Sequence, residues 1–252
     1  MKPAIKVQLT ENLKFLKLAA ISGNLEPCLR QARESGLDFS EFLLNITDME
    51  VASRMENGRK RRLRQARFPL LKPIETFDFD AAKDLDFQMI KHLLTGQYIK
   101  DVYNIIFLGK SGTGKTHLAT ALGMEACRIG KKTLFTTACG LANELVEARE
   151  EKTLSRILKR YVACDLLIVD ELGYVPFSKE AAQLLFQVMA ERHERKSTII
   201  TSNMGFGDWT SIFGDATLTG ALLDRVTHKA HIINCNWESY RFKEALKKGK
   251  KK

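Results

Sequence analysis

Residues Gly109-Lys110-Ser111-Gly112-Thr113-Gly114-Lys115-Thr116 spell G-x-x-x-x-G-K-[ST], a phosphate-binding pattern that works only between a strand and a helix. Both flanks fit. Tyr103 to Leu108 is an apolar run suited to a buried strand, and Thr116 to Arg128 carries apolar residues at helical spacing before Gly130. Strand, tight loop and helix N-terminus together aim backbone N–H groups and the positive end of a helix dipole at an anion. Glycines at 109, 112 and 114 let the backbone curl and approach phosphate oxygens where a Cβ would collide. In this arrangement Lys115 reaches the β- and γ-phosphates of a nucleotide, and the Thr116 hydroxyl is placed to ligate Mg²⁺. The expected ligand is a nucleoside triphosphate held by Gly109 through Thr116, with His117 directly beyond.

A second stretch completes the chemistry. Leu166-Leu167-Ile168-Val169 is an apolar run ending in Asp170-Glu171. A buried parallel strand delivers these carboxylates to the C-terminal edge of its sheet, where the glycine loop also opens. There Asp170 can hold Mg²⁺, directly or through water, and Glu171 can orient and polarise a water for attack on the γ-phosphate. The pair is a weak signal alone, and a strong one about 55 residues after such a loop with one β-α unit between. Asn203 follows the end of the next strand, Ser197 to Ser202, and has two readings: a contact between water and γ-phosphate, or a turn residue. Arg225 also has two: a helical salt bridge, or a guanidinium that completes a neighbouring subunit's site.

From about residue 74 strands and helices alternate, which predicts a three-layer α/β domain with a parallel five-stranded sheet. The expected strands after the first are Lys132 to Thr137, Asp165 to Val169, Ser197 to Ser202 and His231 to Asn234. The expected helices after the loop helix are Leu141 to Glu150, Leu154 to Val162, Lys179 to Arg192, Thr217 to Lys229 and Trp237 to Lys248. Residues 1–56 predict a small helical domain. Leu9, Leu13, Leu16 and Ala20 form its first helix, Gly23-Asn24 a break, Glu26 to Ser35 a second helix, and Asp38 or Ser40 caps a third. Pro69 and Pro73 mark a linker, so the division expected is 1–68 and 69–252. Phe77-Asp78-Phe79 either packs beside a base or starts the core.

Charge separates the flanks from the centre. Residues 1–72 hold 14 basic and 8 acidic residues and residues 225–252 hold 9 and 2, whereas 73–224 hold 17 and 20. Basicity confined to the two ends points to a polyanion, most simply nucleic acid. Its densest run is Arg59, Lys60, Arg61, Arg62, Arg64 and Arg67, either a solvated helix face or an arm that contacts phosphates. Lys152, Arg156, Lys159 and Arg160 cluster on the helix from Leu154, and Lys247 to Lys252 form a basic tail. The apolar runs are too short to span a bilayer, residues 1–20 lack an apolar signal segment, and five scattered cysteines suit a reduced cytoplasmic protein. His228-x-x-His231 lacks neighbouring ligands to complete a metal site.

Taken together these stretches resemble AAA+ ATPases of the initiator and helicase-loader clade, and within it the IstB-like helper ATPases of insertion-sequence transposition. The resemblance spans about residues 59 to 242. It rests on Arg64-Gln65-Ala66-Arg67-Phe68-Pro69, Phe77-Asp78-Phe79, Gly109 to His117, Asp170-Glu171-Leu172-Gly173-Tyr174, Thr201-Ser202-Asn203, Phe213-Gly214-Asp215, Leu223-Asp224-Arg225 and Glu238-Ser239-Tyr240-Arg241. It implies ATP and Mg²⁺ as cofactors. Lys115 and Thr116 then look like the Walker A pair, Asp170 and Glu171 the Walker B pair, Asn203 sensor 1, and Arg225 an arginine finger acting in trans. The helix around Leu154 to Val162 lies where that clade inserts an element that approaches DNA. By resemblance, residues 1–68 serve DNA binding or oligomerisation. The implied activity is an ATP-dependent homo-oligomer that binds double-stranded DNA without sequence preference, deforms it, and recruits and activates a transposase. A DnaC-like helicase loader is the alternative, sharing the loop, the Asp-Glu pair and the Asn236 to Arg241 ending. Only 27 residues follow Arg225, so the lid is reduced and Arg241 is the one candidate for a lid arginine.

Overall fold

The computed structural model describes residues 2–240. Two compact units divide at Arg61/Arg62.

In the first unit, helices α1 (Pro3–Phe15), α2 (Ala19–Glu34) and most of α3 (Phe39–Ala66) pack around Leu13, Ile21 and Leu25. The chain turns at Leu16 to Leu18, with Lys17 at φ 57°, and α2 runs on through Gly23 and Asn24. The break expected at Gly23-Asn24 is therefore absent. Glycine costs a helix only about 1 kcal/mol, and the polar partner needed at the N-terminus of α2 comes from elsewhere. Buried Glu50 accepts hydrogen bonds from the amides of Ala20 and Ile21 at 2.9 and 3.2 Å, replacing the capping side chain that Leu18 lacks. Arg54 in turn binds Glu50 at 2.9 Å and the Lys17 carbonyl at 2.7 Å. Gly36, at φ 64°, follows the end of α2. Asp38 and Glu41 then exchange hydrogen bonds with each other's amides in a capping box that starts α3.

The second unit is the α/β domain. After a short 3₁₀ turn at Ile74–Thr76, α4 (Phe87–Leu94) and α5 (Gln97–Lys100) lead into β1 (Asn104–Leu108). Then follow α6 (Lys115–Arg128), β2 (Thr133–Thr137), α7 (Ala138–Glu150), α8 (Leu154–Ala163), β3 (Leu166–Leu172), α9 (Lys179–Arg192) and β4 (Ser197–Ser202). The described part closes with α10 (Trp209–Phe213), α11 (Ala216–Thr227) and β5 (Ala230–Asn234). All five strands are parallel in the order β2-β3-β4-β1-β5. Ile105, Ile106, Phe107 and Leu166 to Val169 are buried on both faces, as a sheet covered by two helical layers requires. The core on one face is built on Leu141, Leu145, Leu185, Val188 and Trp209. On the other it is built on Ile90, Leu93, Leu118 and Leu122.

Two further expectations change. β3 does not stop at Val169 but continues to Leu172 through a bulge: Val169 pairs with Ile200 and Leu172 with Ser202, so the β3 side carries one extra residue. Trp237 does not open a helix. Residues 235–239 are extended or bent, because they lie against the glycine loop and give it their hydrogen bonds. The remainder of the expected Trp237 to Lys248 helix, with Arg241 and the basic tail, lies outside the described residues.

Candidate active site

The glycine loop joins β1 to α6 at the C-terminal edge of the sheet. Gly109, Gly112 and Gly114 all have positive φ. A Cβ at Gly109 would lie 2.2 Å from the Cys235 carbonyl oxygen, and one at Gly112 would lie 2.0 Å from the Ser239 hydroxyl. The loop is thus gripped from outside by residues 235–240. The Trp237 indole donates to the Thr113 carbonyl at 2.9 Å and the Tyr240 amide to the Gly112 carbonyl at 3.0 Å. Buried Lys115 folds its ammonium onto the carbonyls of Gly109 and Lys110 at 2.6 and 2.8 Å, which fixes its charge inside the loop's curl.

Loop residues Ser111 through His117 line a cavity of about 520 Å³ with Lys72, Thr76, Phe77, Asp78, Ala81, Glu171, Tyr174, Thr201, Asn203, Trp237 and Tyr240. That is the size range of small-molecule and cofactor sites. Phe77 sits against Gly114, where a Cβ would approach its ring to 2.7 Å. His117 anchors this aromatic wall to α6: its Nε2 lies 3.0 Å from the Pro73 carbonyl and 3.3 Å from the Thr76 hydroxyl, and its ring meets Phe77 edge-on. Burial holds the His117 pKa below the usual histidine range, with Lys72 adding to the shift against the Pro73 hydrogen bond. On the opposite wall the Tyr174 hydroxyl reaches Ser111 at 3.4 Å.

The bulge in β3 explains how adjacent carboxylates come to face different surroundings. Glu171 adopts φ 61°, so Asp170 and Leu172 are both buried while Glu171 is exposed and lines the cavity. Asp170 Oδ1 accepts from the Thr116 hydroxyl at 3.0 Å and from the Thr201 hydroxyl at 2.5 Å. Burial raises its pKa, and these two hydrogen bonds and Lys115 act against that shift. Thr201 also accepts from the Glu171 amide at 3.0 Å. One hydroxyl on β4 therefore supports both acidic residues. The sequence pattern gives Thr201 no role of its own; its place two residues before Asn203 on the neighbouring strand is the one local signal. Gly173, at φ 112°, lets the loop after β3 approach Asn203, whose Oδ1 would lie 3.0 Å from a Cβ there.

Lys115, Thr116, Glu171 and Asn203 thus line one cavity, and Asp170 stands behind its wall, bonded to Thr116. Arg225 does not line it: its guanidinium donates to the Ala221 carbonyl at 2.7 Å and stacks over Phe186 at 5.0 Å. Thr116 and Asp170 offer hydroxyl and carboxylate oxygens 3.0 Å apart, a hard-oxygen pair that suits Mg²⁺. Among the described residues no cluster of three His, Cys, Asp or Glu side chains is placed to hold a metal. His228 meets Glu194 and His193, while His231 stacks on Tyr103.

The basic residues differ in what they contact. Arg59 and Lys60 pair with Glu56, and Arg61 is exposed. Arg62 donates to the Cys127 carbonyl at 2.7 Å, and Arg160 is paired with Glu144 at 2.5 Å. Lys152, Arg156 and Lys159 surround a shallow hollow beside α8. Arg62, Arg64, Arg67 and Arg160 line a separate cavity in the second unit.

Comparison with known proteins gives the family and the fold. The family model for IstB-like ATP binding protein matches residues 11–248. The chain belongs to this family. Among relatives of IstB type, the insertion sequence IS21 protein of Pseudomonas aeruginosa, described as ATP-binding, is 39% identical over 94% of this chain and 89% of its own length. The corresponding IS5376 protein of Geobacillus stearothermophilus is 38% identical over 95% of this chain and 96% of its own. In fold, the IstB-like chain is similar to AMPPCP-bound DnaA from Aquifex aeolicus, with TM-score 0.57, 23% identity and 73% of this chain matched. The match covers 56% of that initiator, so the chain spans little more than half of it. The DnaC helicase loader is similar at TM-score 0.51 and 22% identity over 58% of this chain and 86% of the loader. The IstB-like protein is a P-loop ATPase with the AAA+ fold. Among the described residues, no helix is long and apolar enough to cross a membrane.

Proposed function

We propose that this ATPase assembles with ATP into a homo-oligomer on double-stranded target DNA, deforms the duplex without reading its sequence, and recruits and activates a partner transposase. The observation that carries the reading is the extent of the family match. Relatives named for insertion sequences align over more than nine-tenths of the chain, including the N-terminal helical unit, whereas the loader resembles only part of it. The basic flanks and the many apolar side chains that unit 1 leaves exposed, Phe15, Phe39 and Met55 among them, support binding to DNA and to further protein. Action on DNA inside the cell makes the compartment cytoplasmic.

Within the cavity, Lys115 and the loop amides bind the triphosphate, Thr116 and Asp170 hold Mg²⁺, and Glu171 orients the attacking water. Asn203 contacts that water or the γ-phosphate. Bound Mg²⁺ would neutralise charge that builds on the phosphates. Arg225, away from its own loop, completes a neighbour's site. Residues 1–68 and the clusters at Arg59 to Arg67 and Lys152 to Arg160 meet DNA.

The test is to mix the protein with duplex DNA and with either the cognate transposase or the replicative helicase, with and without ATP. Assembly with transposase and DNA only when ATP is present supports the proposal; assembly with helicase alone replaces it with the loader reading.

A further inference from the structure

A second cavity, of about 530 Å³, lies at the edge of the sheet opposite the nucleotide loop. The last turn of α3, the start of the edge strand β2 and the end of α8 form it. Arg62, Arg64, Arg67, Lys132 and Arg160 line it with Gln65, Leu134 and three further residues, and none of the ten is acidic. We propose that it is a phosphate pocket that grips successive phosphates of a polynucleotide backbone. The proposal deepens the DNA-binding reading above and rests on it.

The nearby carboxylates are already taken. Glu144 is bound by Arg160 and by the Tyr161 hydroxyl; Asp165 by Lys196 at 2.7 Å and the Lys132 amide at 3.0 Å. Arg64, Arg67 and Lys132 are exposed and form no ion pair within 4.0 Å among the described residues.

The cations stand on a fixed backbone. Ala66 is fully buried, Arg67 turns the chain at φ 61°, and Phe68 packs on Phe135 with ring centroids 6.0 Å apart. The bond from Arg62 to the Cys127 carbonyl ties the same turn to the end of α6. Arginines held in this way lose little freedom on meeting phosphate. No aromatic ring is among the lining residues, so a free nucleotide would find cations for its phosphates and nothing on which to stack its base. A backbone needs only the cations. Lys132 is the informative member: it lies about 65 residues from the arginine run in sequence, and only the fold brings it there.

The experiment measures affinity of the full-length protein for a labelled random-sequence duplex across a salt series. Wild type is compared with Lys132→Gln, Arg67→Ala/Lys132→Gln and the single-charge control Lys179→Ala, each checked for an unchanged melting temperature. Each lost phosphate contact lowers the slope of log affinity against log salt by about 0.9. The double variant is therefore expected to lose between about one and two units of slope, and the control none. If wild type does not bind the duplex at all, the DNA-binding reading itself fails. If wild type binds and the double variant keeps its slope, only the pocket is overturned. A double variant that keeps duplex binding but loses ADP binding in a Lys115→Ala background, or loses only transposase association, also overturns it in favour of a nucleotide or an acidic protein surface.

Discussion

The hydroxyl of Thr201 lies 2.5 Å from Oδ1 of Asp170, and it is the same hydroxyl that receives the backbone N–H of Glu171. Both acidic residues are therefore positioned from the neighbouring strand. The carboxylate is fixed through its oxygen, and the left-handed backbone that directs Glu171 into the cavity is fixed through its amide. A non-glycine residue with positive φ is uncommon and persists where its surroundings determine it.

Thr201→Val keeps the shape and removes the hydroxyl, which leaves the Glu171 amide without its acceptor. Loss of such a supporting hydrogen bond costs about 10- to 100-fold in activity or metal affinity. The expected result is a fall in kcat of that order with ATP affinity nearly retained, and restoration by Thr201→Ser. A rise in KM alone, or no rescue by serine, would assign Thr201 a purely structural place.

Asp170 gives a prediction in pH. Its folded pKa is raised by burial, so the folded state binds the proton more tightly than the unfolded chain does. The site is most stable with the acid protonated, below the unfolded pKa, and that stability is lost as pH rises through the raised value. Asp170→Asn keeps an acceptor at Oδ1 for Thr116 and Thr201 and removes the buried charge. Without nucleotide, the variant is expected to melt higher than wild type at neutral pH, with the gap closing as pH falls into the carboxylate range. It is also expected to lose the stabilisation that Mg²⁺ and ATP give wild type. Thermal unfolding across pH, with and without Mg²⁺-ATP, reads both effects.

Lys115 and Glu171 separate binding from turnover. Lys115→Ala removes the cation held inside the curl of the loop, and nucleotide titration should then find no ATP binding and no ATP-dependent assembly. Glu171→Gln keeps the side chain's size and removes its basicity. Turnover should fall by about 10²- to 10⁴-fold while ATP binding remains. Normal turnover in this variant would remove Glu171 from its role.

The loop, its strand, the sheet and the two carboxylates were legible in sequence because each rests on local rules: apolar runs for buried strands, glycines where φ is positive, acids at a strand end. Lys179–Arg192 and Ser197–Ser202 match residue for residue. Features that depend on remote partners were not legible. Nothing near Leu18 announces that Glu50 caps α2 across some 30 residues, so Gly23-Asn24 looked like the break. Nothing near Trp237 announces that its indole faces the Thr113 carbonyl, so helical spacing there misled. The bulge at Glu171 needed the register of β4, and the second cavity needed Lys132 and Arg67 brought together.

Arg192 shows the same limit and carries a stability prediction. It is the last residue of α9, where an exposed cation would be ordinary, yet only 1% of it is accessible. It donates to the carbonyls of Tyr161, Cys164 and Ser197 and to the Thr198 hydroxyl, tying the end of α8 to the start of β4. Arg192→Leu leaves several buried carbonyls without donors, each costing about 1 to 3 kcal/mol. A loss of more than about 3 kcal/mol in denaturant unfolding is expected, without any change in which residues line the nucleotide cavity. Retained stability would mean that water replaces the guanidinium.

Arg225 tests whether the site is shared between subunits. It lies outside the cavity of its own chain and is parked on Phe186 and the Ala221 carbonyl, so in isolation it offers its charge to no phosphate. An arginine that completes a neighbour's site is worth about 10³- to 10⁵-fold in turnover. Arg225→Ala should therefore bind ATP normally and hydrolyse it poorly, and Lys115→Ala should do neither. Mixed, the two variants form some interfaces in which an intact loop from the first meets an intact arginine from the second. Partial recovery of ATPase activity, peaking near equal proportions, is the expected outcome. Activity that stays at the sum of the two variants would place Arg225 in the structure of α11 alone.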